Sequence, residues 1–94
     1  MAIFDIATAK VETLLTGYGG NGGSTVNPKL GQYYHSTTGG ELMVVDTKAK
    51  QGLQKVPTST GARSLAVGPN DRVYVATTAK DAACRGCILV FAAE

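Results

Sequence analysis

"SLAVGPNDRVYVATT", residues 64–78, decides the fold. Two apolar runs, Ser64 to Gly68 and Arg72 to Thr77, flank Pro69-Asn70-Asp71, a turn signal between two strand-forming segments. A hairpin with one face in water alternates apolar and polar residues. Here Leu65, Val67, Val73 and Val75 fill one parity, while Ala66, Tyr74 and Ala76 fill the other. Such strands are expected to lie between two packed layers, as in a stack of sheets, rather than in a two-layer sandwich with a wet outer face.

The rest of the chain repeats this logic. Phe4-Asp5-Ile-Ala-Thr-Ala-Lys10 aligns with Val45-Asp46-Thr-Lys-Ala-Lys50, which places Asp5 and Asp46 41 residues apart. Each segment leads into a second amphipathic run, Val11 to Thr16 or Leu53 to Thr58, and then into a glycine-rich or polar connection. Ser24 to Ser36 likewise corresponds to Ser64 to Ala76, with Pro28 and Pro69 in the short turns, and Cys87 to Ala92 resembles Leu42 to Asp46 without the Asp. A period near 40 with four strand signals per unit is the pattern of propeller blades. The chain therefore reads as all-β, about two propeller-type blades of antiparallel four-stranded meanders in a single domain 1–94. Its units are 1–16 (partial), 24–58 and 63–94 (partial); a small antiparallel sandwich or barrel is the alternative.

These residues resemble the C-terminal part of a bacterial and fungal family of seven-bladed propellers of the YVTN or NHL-like type. The resemblance rests on "IFDIATAKVETLL", on "NPKLGQYYHSTTGGELMVVDTKAKQGLQKVPTSTGARSLAVGPNDRVYVATT" and on "CRGCILVFA", and it covers nearly the whole chain. It implies a blade architecture and little about activity, because the matching residues are strand and turn residues. Members of the family are often secreted and are several times longer. They often carry a Cys before the glycine-rich run and a His where Arg63 stands, and this chain has neither.

Composition narrows the functional classes. A chain of 94 residues buries only about 60 to 65 % of its unfolded surface, so its core gains from an extension such as oligomerisation. The nine Lys and Arg residues are scattered and nearly matched by seven acids, which argues against a nucleic-acid partner. The opening Met1-Ala-Ile-Phe-Asp-Ile carries an acid and no basic region, and no apolar run approaches the ~20 residues of a membrane span. No export or membrane signal is expected within this sequence.

Few residues suggest chemistry. Cys84 and Cys87 form a C-x-x-C that leads into a strand rather than a helix, which favours a loop disulfide or two free thiols over a redox centre. His35 is the only histidine, so four zinc ligands cannot be assembled from the two cysteines and it; no metal and no cofactor are expected. No nucleophile elbow is present, and Gly17-Tyr-Gly-Gly-Asn-Gly-Gly23 lacks the GKS/T ending of a phosphate loop. In blade order the longer loops, Gly17–Gly23, Ser36–Gly40, Ser59–Ala62 and Ala79–Gly86, fall at one end of the sheets. Arg63, His35 and Tyr18 are the ligand-binding candidates there, with Arg63 suited to a carboxylate or phosphate. No residue is assigned a catalytic role.

Two functions are expected from this reading. The first is a non-catalytic propeller-type binding module that self-associates through open blade edges into a homo-oligomer and offers the long-loop face to a small molecule or protein. The second is a fragment or descendant of a lactonase-like propeller hydrolase, although the acids are too dispersed to form a recognisable catalytic set.

Overall fold

The computed structural model describes residues 1–5, 7–78 and 85–92, without the side chains of Phe4 and Asp5. The chain is all-β, and each strand pairs antiparallel with the next in sequence within one of three sheets. The first sheet holds β1 (Ala2–Asp5) and β2 (Lys10–Leu14). The middle sheet runs in order through β3 (Gly22–Asn27), β4 (Gln32–Thr37), β5 (Glu41–Asp46) and β6 (Gln51–Pro57). The last holds β7 (Ser64–Val67), β8 (Val73–Ala76) and β9 (Ile88–Phe91). No barrel closes among the described residues.

The sheets stack face to face, and the middle one is buried on both sides along its inner strands β4 and β5. Tyr34 and Leu42 pack with Ala62, Val73 and Val75, joined by Val44, Val56, Leu65, Val67, Leu89 and Phe91, so one face of the middle sheet meets the last sheet. From its other face Tyr33, Val45 and Thr47 meet Met1, Ala2 and Ile3 of the first sheet across a small hollow. Met43 and Val45 are 5 % and 2 % exposed, and Leu42 on the opposite face is 1 % exposed. Neighbouring residues of one strand are therefore dry in both directions, and β5 reads Leu-Met-Val-Val because neither parity meets water.

The hairpin β7–β8 has one such neighbour. Val73 and Val75 are buried against the middle sheet, whereas Ala66 is exposed and Tyr74 and Ala76 are half-exposed on the far side. Expected cover on both faces is thus present on one. The same holds for β9, where Ile88 and Val90 are 59 % and 52 % exposed.

The repeat seen in the sequence recurs in the backbone. In the first sheet Ile3 pairs with Thr13 and Phe4 with Val11, a register shift that skips one residue of β2. Val44 pairs with Gln54 and Val45 with Gly52, the same shift exactly 41 residues later. Left-handed backbone recurs at that interval too, with φ of 56° at both Ala9 and Lys50. In the second of these turns the Asp46 carboxylate accepts from Lys48 and Ala49 N–H groups at 2.8 and 2.9 Å, which closes the turn on its own side chain. A second repeated device closes the other end. The Thr37 hydroxyl bonds both backbone groups of Glu41, and the Thr77 hydroxyl bonds both backbone groups of Cys87.

Two details differ from the sequence reading. The β7–β8 turn is one residue shorter than the β3–β4 turn, because Val67 pairs with Val73 across five residues that Gly68 and Arg72 narrow by a further bond at 2.8 Å. Ser64 therefore matches Gly23 rather than Ser24, while Tyr74 still matches Tyr34 through their partners Ala66 and Thr25. The strand β3 also starts at Gly22, inside the run read as a connection.

Removing the centre of the stack should cost the most. Leu42→Ala is expected to destabilise the chain by about 2–5 kcal/mol, read as a lowered urea midpoint at unchanged m-value.

Candidate functional site

The loops between sheets gather at one end and bond to each other. Thr38 N–H donates to Asn21 O at 2.8 Å and Gly61 N–H donates to Thr38 O at 2.7 Å, so the β2–β3, β4–β5 and β6–β7 connections form one hydrogen-bonded row. Inside that row Ser36, fully buried, donates its hydroxyl to Ala62 O. Thr58 N–H reaches Gly40 O at 2.8 Å.

The glycine-rich segment from residue 15 to 21 is a packed strap across the middle sheet. Starting at the outer strand, the Tyr18 ring lies over Gly52 of β6, with Lys55 Nζ 4.9 Å from its centroid. Gly19 N–H then points at Met43 Sδ on β5, 3.2 Å away, and Gly20 O lies 2.8 Å from His35 Nε2 on β4. At the inner strand Gly23 N–H donates to Arg63 O at 2.9 Å, and a β-carbon on Gly23 would strike that carbonyl. Only glycine lets β3 and the start of β7 come this close.

This geometry separates the three binding candidates. Tyr18 sits over β6, His35 is held on β4 on the same face by the strap, and Arg63 is exposed beside β3, next to Ala62 on the opposite face. Three strand spacings, about 14 Å, separate β6 from β3. Tyr18 and His35 both take part in packing the strap on the middle sheet, contacts their sequence neighbours did not announce. Cys84 lies outside the described residues, and with it the Cys84–Cys87 pair, read as a loop disulfide or two free thiols, and most of the Ala79–Gly86 loop; Cys87 itself is not a free thiol. Among the described residues no three His, Cys, Asp or Glu side chains converge on a point that would hold a metal ion. No described helix is long and apolar enough to cross a membrane.

At the opposite end a polar clamp, missed in the sequence, fixes the middle sheet to the last. Asn27, 4 % exposed, donates Nδ2–H to Asp71 Oδ1 at 3.0 Å while its Oδ1 accepts from Lys29 and Leu30 N–H groups. Lys29 Nζ completes the clamp at 3.3 Å from Asp71 Oδ2. The Asn27 bond and then the Lys29 bond hold the Asp71 carboxyl below its ordinary value. Burial, and secondarily the Asp71 charge, raise the Tyr34 phenol above its own, while Tyr34 Oη donates to Gln32 Oε1 at 2.6 Å. A Pro-Asn-Asp turn signal gave the turn but not its partner, because Asn27 lies 44 residues away.

A concavity lies between the middle and last sheets. It is a groove of about 490 Å³ beside β9, floored by Val44, Gln54 and Val56 and walled by Val90, Phe91 and Ala92. No protein-family model, curated protein or solved structure matches the chain.

Two outcomes test these arrangements. Gly52→Ala should cost about 1–3 kcal/mol in urea denaturation by pushing into the Tyr18 ring, and close to nothing when Tyr18→Ala has already removed the ring. Because the folded Asp71 carboxyl lies below its unfolded value, its stabilisation is present above the ordinary aspartate range and is lost as pH falls through the folded value. Asp71→Asn should lower the urea midpoint at neutral pH and shrink the further fall on acidification.

Proposed function

We propose that this chain is a non-catalytic, propeller-type interaction module that self-associates through its open blade edges. The observation that carries the reading is the 41-residue repeat of pairing register and bulge, β1–β2 onto β5–β6. A meander repeated with its irregularities is one supersecondary unit used more than once, and such units bury their apolar faces against one another. Among the described residues the middle unit has four strands in sequence order, and the units on either side have two and three. Propellers close with about four to eight blades, so further units are needed to complete a ring.

The surface supports the same reading. Val11 and Leu14 of β2 are 52 % and 72 % exposed, and Ile88 and Val90 of β9 expose more than half of their area. Large aliphatic side chains exposed on the end sheets, beside strand edges left unpaired among the described residues, favour association over solvation. The hydrogen-bonded loop end, with Arg63 exposed beside it, is the face left for a small-molecule or protein partner in such an assembly. Adjacent, repeated units stacking head to tail would make the contact heterologous, so that a closed ring depends on the angle per unit.

Multi-angle light scattering tests the proposal directly. A mass that is a whole multiple of the 9.7 kDa protomer at micromolar concentration is expected. A stable monomer across that range would sink it.

A further inference from the structure

We infer that the groove beside β9 takes up an extended peptide strand, added antiparallel to the outer edge of β9, with alternate apolar side chains lowered onto β5 and β6. The inference rests on the repeat described above but needs no ring. Twice the chain shows what lies at this position: β2 beside β1, and β6 beside β5, in one register with one bulge. The strand β9 is the counterpart of β1 and β5. Its place is set by the threonine bracket, since Thr77 holds Cys87 as Thr37 holds Glu41, which makes Ile88 equivalent to Leu42 and Val90 equivalent to Val44. Among the described residues β9 pairs with β8 alone, so no described strand takes the edge that β5 offers to β6.

The groove is where the equivalent outer strand would run. Its floor, Val44, Gln54 and Val56, belongs to the face of the middle sheet that the last sheet covers elsewhere. Backbone N–H and C=O groups along the β9 edge supply affinity without regard to sequence, and the floor supplies selectivity for alternate side chains. The four residues of β9 span about 14 Å, room for a peptide partner of four or five residues.

The fitting side-chain pattern can be read from the chain. Carrying the β1–β2 register onto β9 sets Leu14 opposite Leu89, Thr13 opposite Val90 and Val11 opposite Phe91. Leu89 and Phe91 are the β9 residues turned to the middle sheet. A strand with the β2 pattern therefore directs its Val and Leu into the groove and keeps its Glu and Thr outside. The β6 pattern is poorer, because Gly52 and Lys55 occupy the inward positions. The ligand class is thus an extended peptide, apolar at the two inward positions and polar between them.

A labelled synthetic peptide with the sequence of residues 9–16 is the probe, titrated into the full chain and followed by fluorescence anisotropy. Saturable binding is expected, weakened at least tenfold when the peptide's Val and inward Leu are both replaced by Lys. Peptides N-methylated on one or the other alternating set of amides should differ, because only one set faces β9. Gln54→Trp, at an exposed floor position, should block binding while leaving the urea midpoint unchanged; Val56→Lys is the deeper variant. Absence of saturable binding, indifference to N-methylation, or undiminished binding to folded Gln54→Trp would overturn the inference. A monomeric chain that binds the peptide refutes self-association and keeps the groove, whereas an oligomer that ignores the peptide, and is not dissociated by it, does the reverse.

Discussion

Everything in this structure depends on the two inner strands of the middle sheet, β4 and β5, being covered on both faces. A hairpin that carries Tyr34 and Leu42 on one side and Met43 and Val45 on the other has no orientation in which a single partner layer suffices. The two flanking sheets are thereby required, and the connections that deliver them follow. The strap from residue 15 to 21 brings the first sheet round to β3, and the residue 58–63 connection brings the last sheet onto the opposite face. With so few residues, about 0.1 kcal/mol of net stability per residue is a typical margin, and two layers of aliphatic contact on one central sheet are how this chain meets it.

The polar interactions select among the ways such layers could slide. Apolar faces alone are permissive of register, because their attraction is non-directional. The Asn27–Asp71–Lys29 clamp and the Ser36 to Ala62 bond sit at opposite ends of the interface between the middle and last sheets. On the other side the Lys50–Glu12 ion pair joins the first sheet to the β5–β6 turn, and the Gly20–His35 contact ties the strap that follows it to β4. The interface between the middle and last sheets is thus fixed at two points, which is the minimum that prevents both translation and rotation of one sheet on another.

Much of this was legible in the sequence, for identifiable reasons. The meander order followed from apolar runs separated by Pro, Gly and Asp turn signals, and the 41-residue spacing of Asp5 and Asp46 fixed the equivalence of the units. Local signals carry local geometry. The hairpin Ser64 to Ala76 was read as covered on both faces because composition reports what a strand tolerates, and which faces are filled depends on how many layers surround it. The one-residue shift of β7 was hidden by the matching serines at 24 and 64. Of the binding candidates, Tyr18 and His35 looked available because aromatic and imidazole groups near loops often are. What engages them, Gly52 and the Gly20 carbonyl, is 34 and 15 residues away, and no pattern along the chain records that proximity.

The threonine bracket has a meaning beyond register. Between Thr37 and Glu41 the chain has three residues, and between Thr77 and Cys87 it has nine, yet the hydroxyl makes the same pair of bonds in each. The sheet is sealed before the loop begins, so loop length is decoupled from strand pairing.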